Sequence, residues 1–203
     1  MWCVQGWPPV KDLLPVDTMS LLFALLAVAC WVVAVAVAIG ALVRRAGRGP
    51  DAVERLRDDV GRVALPLAWV IAVVTMLGSL YYSEVQGYTP CELCWYQRIC
   101  SYPFAVILGI AAWRRDVAVR VYAVPVFAIG AAISLYHIYI QHFPPDGGTA
   151  FCTADAPCTT RYVDELGGLV SIPFMALSAF VVMSALLLVA RSATTSPPSQ
   201  EDR

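Results

Sequence analysis

Charge is what this sequence has least of. Only 14 % of its 203 residues are Asp, Glu, Lys or Arg, against 59 % that are hydrophobic. A soluble domain carries about a quarter charged and roughly half apolar residues. The shortage excludes one large soluble core and points to a polytopic membrane protein. The net charge of −1 says nothing by itself about nucleic-acid or acidic partners, and no nucleic-acid partner is expected of a membrane protein of this kind. No internal repeat is evident, which sets aside the repeat architectures. Charge is missing altogether from the runs 19–43, 63–82 and 166–190, and from 121–140 apart from His137.

What is present in those runs is enough to cross a bilayer. A span needs roughly 20 apolar residues to traverse ~30 Å of hydrocarbon. A fifth run, 99–113, is too short by itself and reaches a full span only if its helix starts near Cys94. Pro66, Pro103, Pro125 and Pro173 fall within these spans, where neighbouring helices satisfy the freed carbonyls. The spans divide the chain into an N-terminal helix with an Arg-rich cytoplasmic linker (1–61), a four-helix membrane domain with two outward Cys-containing loops (62–191), and a disordered, Ser/Thr/Pro-rich tail (192–203). Met19 is an alternative start to Met1 that leaves the topology unchanged. A cleaved signal peptide is disfavoured, because the first apolar run is long and its basic residues follow it instead of preceding it.

Basic residues orient the bundle. Arg44, Arg45, Arg48, Arg55, Arg57 and Arg62 lie between the first two spans, Arg114, Arg115 and Arg120 between the third and fourth, and Arg191 follows the last. The other side holds only Lys11, Arg161 and, at its border, Arg98. The positive-inside rule then places the N-terminus outside, the C-terminus inside and the two Cys-containing loops on the outer face of a cell membrane.

Seven cysteines are present. Cys91/Cys94 and Cys152/Cys158 form two close pairs on the expected outer face, while Cys3, Cys30 and Cys100 are scattered and receive no role. The first pair belongs to the string Pro90-Cys91-Glu92-Leu93-Cys94-Trp95-Tyr96-Gln97-Arg98. Two sulfurs at that spacing close into a small ring, and the backbone N–H groups at a helix start favour a thiolate. Arg98, one turn beyond Cys94, adds a permanent cation that favours a Cys94 thiolate or binds a carbonyl or anion. The competing readings are half of a zinc site, a structural disulfide, and an arginine that merely snorkels. Cys152 and Cys158 lie among Pro144, Pro145, Gly147, Gly148 and Pro157. A disulfide on such a turn-rich loop can swing between a soluble partner and a fixed site, or it can be a static staple. Together the two pairs also supply the ligands of a Cys₄ zinc site. His137, between Tyr136 and Tyr139 near a span end, reads alone as an interfacial anchor, and Glu84 as a solvated loop residue.

These residues resemble the DsbB family of disulfide-bond-formation membrane proteins, especially its compact BdbC-type branch. The likeness rests on the 90–98 string, on Tyr136-His137 followed by Gln141 and Pro144, and on the loop pair followed by Gly167 and Ser171-Ile172-Pro173. It covers about residues 62–190. The resemblance implies an all-α, four-helix membrane bundle around a quinone, menaquinone or ubiquinone. It implies that Cys91/Cys94 reduce the quinone, with Cys94 facing it and Arg98 and His137 beside it. It further implies that Cys152 exchanges with an extracytoplasmic thioredoxin-like oxidase of the DsbA or BdbD type, and that Cys158 then connects with Cys91. Two features depart from the family. The loop pair is separated by only five residues, leaving open which sulfur attacks the partner, and the first span lies outside the usual pattern. The competing classes are a metal-binding or disulfide-stapled membrane protein and a vitamin-K-epoxide-reductase-like quinone reductase. In the latter the loop pair precedes the active pair, the reverse of the order here.

Overall fold

The computed structural model describes residues 15–45, 51–144 and 158–191, with backbone alone at 44–45 and 51–58. Cys3, Cys152 and the tail from residue 192 lie outside the described residues. The described part is helical, with one isolated antiparallel bridge between Glu165 and Val170. Its long helices are α1 (Val16–Arg45), α2 (Asp51–Leu80), α3 (Glu92–Arg114), α4 (Arg120–His142) and α5 (Ile172–Val189). Stretches of α1, α2, α4 and α5 are long and apolar enough to cross a membrane. At 23 residues, α3 is about 35 Å long. It reaches that length by starting at Glu92, just after Cys91. The expected linker is shorter than drawn from the sequence, because helix α2 already begins at Asp51.

Helices α2, α3, α4 and α5 close a ring in which each packs on the next and α5 returns to α2, while α1 lies outside the ring against α5. Their apolar exterior, including Leu21, Leu25, Ile39, Val121 and Leu188, suits hydrocarbon. Lipid tails are as apolar as these side chains, so association inside the bundle relies on close packing more than on removal from water. Phe104, Leu108, Phe127, Phe180, Met183 and Leu186 make the interior. Gly130 is essential to it: a Cβ there would stand 2.5 Å from Cζ of Phe180. The missing side chain leaves a notch on α4 that the Phe180 ring of α5 fills.

The ends of the helices place the cysteines. After Leu80, α2 widens into a π-helical turn (Tyr81–Val85) that buries both Tyr81 and Tyr82. They pack with Phe23 of α1, Ile172 of α5 and Val163 of the loop before α5, and Tyr82 and Val163 border the same cavity as Cys91. Glu84, in the same turn, is exposed. At the opposite side, Arg115 takes a left-handed conformation that ends α3, and the Asp116 carboxylate accepts the Ala118 N–H at 2.9 Å to start the next turn.

One expected boundary is corrected. The last span, read as 166–190, begins at Ile172. Leu166, Gly167 and Gly168 have φ of +52°, +71° and +90°, left-handed values that no helix accommodates. They form a tight turn closed by Glu165 and Val170. Pro173, expected inside the span, stands in the first turn, where its missing N–H breaks no helical bond.

Candidate functional site

Cys91 is the N-cap of α3, and its carbonyl accepts the N–H of Trp95 at 3.1 Å, the first bond of the helix. That geometry follows from Pro90, which holds the preceding chain extended, and from the polar start of an otherwise apolar helix. Cys91 is buried against Leu93, Ile140 and Cys158. Cys91 and Cys94 are both free thiols, with their sulfurs 3.2 Å apart. This separation is short enough for the pair to close after loss of two electrons with little backbone movement.

His137 projects from α4 over this pair. Its Nε2 lies 3.1 Å from the carbonyl oxygen of Cys158 and 3.8 Å from Cys91 Sγ. On the far side of the ring, Nδ1 is 3.4 Å from Gln97 Nε2. An amide N–H donating to Nδ1 puts the neutral ring's proton on Nε2, aimed at both the Cys158 carbonyl and the Cys91 sulfur. Cys91 stands before the first residue of α3, outside the membrane-crossing helices. Its thiol is pulled down to about 4, first by the hydrogen bond with Cys94 and then by His137, with burial opposing both. His137 thus favours a thiolate on Cys91, while the sequence pattern, through Arg98, favours one on Cys94. The imidazole is buried, a position unlike the interfacial anchor that it suggests on its own.

Arg98 is turned toward α2. Its Nε donates to Ser79 Oγ at 3.0 Å and its Nη2 to the Ser79 carbonyl at 3.1 Å. The guanidinium also lies 5.2 Å from the Trp95 ring centre and 5.8 Å from that of Tyr102, within cation–π range. Such a side chain is held in place, which a snorkelling arginine is not. Cys91, Cys94, Gln97, Arg98 and His137 all border one cavity of about 350 Å³. The rest of its lining is mostly apolar and runs down between α1, α2 and α5. A volume of this order holds a small organic ring system.

Cys158 is disulfide-bonded and buried beside Cys91, and Cys152 lies outside the described residues. While Cys158 is disulfide-bonded its sulfur is not a thiolate ligand for a Cys₄ metal site. Cys91, Cys94 and His137 do bring three ligand atoms within 4.8 Å of one another. Yet His137 Nε2 is nearer the Cys158 carbonyl than the thiol. Cys100 is buried in the bundle core and Cys30 packs against it, both as small apolar side chains. Sequence reasoning overlooked Gln97 and Ser79. Gln97 stood inside the motif, one turn after Cys94, as a polar residue on an apolar helix; nothing marks Ser79 out.

A family model, Disulfide bond formation protein DsbB, matches residues 61–190. Disulfide bond formation protein C of Bacillus subtilis (strain 168) is 46 % identical over 121 residues, which is 60 % of this chain and 87 % of that protein. A probable disulfide formation protein C of Bacillus cereus is 41 % identical over 128 residues, 63 % of this chain and 91 % of the relative. A probable disulfide formation protein of Oceanobacillus iheyensis is 44 % identical over 128 residues, with 62 % and 86 % covered. No solved structure gives a significant match.

Proposed function

Because the chain belongs to the DsbB family of disulfide bond formation proteins, we propose that it reoxidises an extracytoplasmic thioredoxin-like dithiol oxidase and delivers the electrons to a membrane quinone. Membership makes it a multi-pass membrane thiol oxidoreductase of disulfide-bond formation. The single observation that carries the finer reading is the position of Cys91. Cys91 lines an apolar cavity together with Arg98, and it also packs against disulfide-bonded Cys158, which borders the same cavity. The arginine bias of the connecting segments supports an outward-facing site.

The steps follow thiol–disulfide exchange. A partner thiolate attacks the disulfide between Cys152 and Cys158; the partner leaves with a disulfide and the loop keeps a dithiol. A loop thiolate next attacks the Cys91–Cys94 disulfide, so the loop disulfide re-forms and the pair becomes the dithiol. The pair then gives up two electrons and two protons to the acceptor, and its own disulfide closes. A quinone bound beside Cys94 and Arg98 would supply that acceptor, being reduced by two electrons and two protons to the quinol. The cavity fits such a group: its walls are apolar, and Arg98, fixed by Ser79, supplies a cation beside Cys94 where negative charge develops. A loop sulfur that bonds Cys91, against which Cys158 packs, releases Cys94 as the leaving thiolate on the side of Arg98, while His137 favours the thiolate form of Cys91 once the pair is reduced.

The test uses the protein in lipid with a reduced thioredoxin-like substrate, with and without added quinone. Oxidation dependent on quinone and lost in Cys94→Ser is expected. Wild-type turnover in that variant would sink the proposal. The three clustered donors favour a second reading, a metal-binding protein. Stoichiometric zinc, with no change in free thiols on adding quinone, would support that one.

A further inference from the structure

The DsbB match starts at residue 61, so α1 lies wholly outside it, and the redox steps above use none of its residues. Its packing is nonetheless specific. Ser20, Phe23, Ala24, Ala27, Trp31 and Ala34 recur at helical spacing, and the small members among them are buried. Ser20 Oγ accepts the Tyr82 hydroxyl at 3.1 Å. The Phe23 ring fills the space at Gly78, where a Cβ would be 3.1 Å from it. Further along, Trp31 meets Phe174 of α5 at 6.4 Å between ring centres. The helix thus packs far more extensively on α5 than on α2, which it meets at Phe23 and Gly78.

This one-sided attachment leaves a slot. Phe23, Leu26, Ala27 and Cys30 line the same cavity that Cys94 and Arg98 border at its polar end. Across from them stand Leu67, Val70 and Val74 of α2, also in the lining. Leu26, Leu67, Val70 and Val74 are 42 %, 40 %, 47 % and 38 % exposed, so the edge of the cavity reaches the lipid-facing surface between the two helices. Without α1, the cavity would have no wall along that whole side. With it, the way out is a slit bounded by branched apolar side chains.

We infer that α1 is the outer wall of the binding site for the acceptor's apolar tail, and that the slit between α1 and α2 is where a prenyl chain passes from the cavity into the bilayer. The inference rests on the quinone reading and adds to it the element that selects for the tail. A head group held near Cys94 and Arg98 has its tail directed down the only apolar continuation of the cavity among the described residues. Leu26 is the side chain placed to set the width of the slit.

The test compares two quinones with the same ring, one tailless and one with a decyl tail carrying a terminal diazirine, on the full chain in nanodiscs. Equilibrium binding gives the ratio of their dissociation constants, and photolysis followed by mass spectrometry locates the tail. Label is expected within residues 20–34 and 63–78. Leu26→Trp is expected to shift the ratio against the tailed quinone by about tenfold, the size of loss that overpacking a fitted apolar site produces. Leu26→Ala should leave the tailed quinone bound and spread its label. Label confined to the lipid faces of α3 and α4, or a ratio unchanged in Leu26→Trp while both quinones still bind, overturns the role of α1 and leaves the quinone reading standing. Binding of neither quinone to the wild-type chain overturns both. Should Leu26→Trp not fold, the wild-type labelling pattern decides.

Discussion

Replacing His137 with leucine isolates the contribution of one proton to the chemistry of Cys91. The ring is buried, 3.8 Å from Cys91 Sγ and 3.1 Å from the Cys158 carbonyl. A hydrogen bond to a charged group is worth roughly 1.5–3 kcal/mol, and about 1.4 kcal/mol corresponds to one pH unit. At 3.8 Å the contact is long, so the lower end applies and the Cys91 midpoint should rise by about one unit from its value of about 4. The sign follows from the charge: removing a donor to a thiolate disfavours the thiolate, so more acid is tolerated by the wild type than by the variant. The difference should show where Cys91 itself titrates, on the acid side of neutrality. Across the acid range the variant should hold the smaller thiolate fraction. Ultraviolet thiolate absorbance of the reduced protein across the acid range, with Cys91→Ser as the blank, reads this directly. A midpoint that stays in place or moves down in His137→Leu would refute the assignment of the Nε2 proton. Linkage gives a second readout. A lowered thiol pKa stabilises the fold above the usual thiol value and loses that contribution as the pH falls through the folded value. The reduced variant should therefore be less stable than the wild type near neutrality and converge on it in acid, apart from a pH-independent cost of about 1–3 kcal/mol for the unpaired Cys158 carbonyl.

Two further substitutions probe the frame around the pair. Arg98→Lys keeps the charge but loses the two-pronged hold on Ser79 and the placement against Trp95 and Tyr102. The KM for quinone should rise about tenfold, as for losing one or two oriented hydrogen bonds, and an unchanged KM in steady-state assays would contradict that placement. Gly130→Ala sets two effects against each other. Alanine in a helix gains about 1 kcal/mol over glycine, while the new Cβ stands 2.5 Å from the Phe180 ring, an overlap costing about 1–3 kcal/mol. The clash should win and lower the melting temperature in detergent, with Phe180→Leu in the same chain restoring it; a more stable single variant would show the notch to be loose.

How much of this was legible in the sequence depended on how local each feature is. The pair at the head of α3 was readable, because Pro90, the Cys spacing and the shortness of the 99–113 run all concern one stretch of chain. The burial of His137 was not. Its contact with Cys91 joins residues 46 positions apart and depends on where α4 crosses α3, which periodicity does not report. Arg98 was visible as a cation near hydrocarbon, but Ser79, to which it is bound, resembles any other serine in an apolar run. The start of α5 was misplaced because 166–171 is apolar and uncharged. Hydropathy reads such a stretch as span, while the positive φ of Leu166 and its two glycines makes it a turn. The additional helix was recognised at once as a span, but its place beside the cavity comes from its docking on α5, which pairwise side-chain fit decides.

The notch at Gly130 acts as an alignment pin. With the Phe180 ring seated against bare backbone, α4 cannot slide or turn against α5 without driving the ring into the main chain. His137 stands seven residues further along α4, about 10 Å up the same axis. Its height above Cys91 is consequently registered by a contact that contains no polar atom. A lesion there would leave every chemical group in place and detune the sulfur by displacement alone, so that an aromatic ring deep in the lipid-spanning layer helps to set the acidity of a thiol at the bundle's rim.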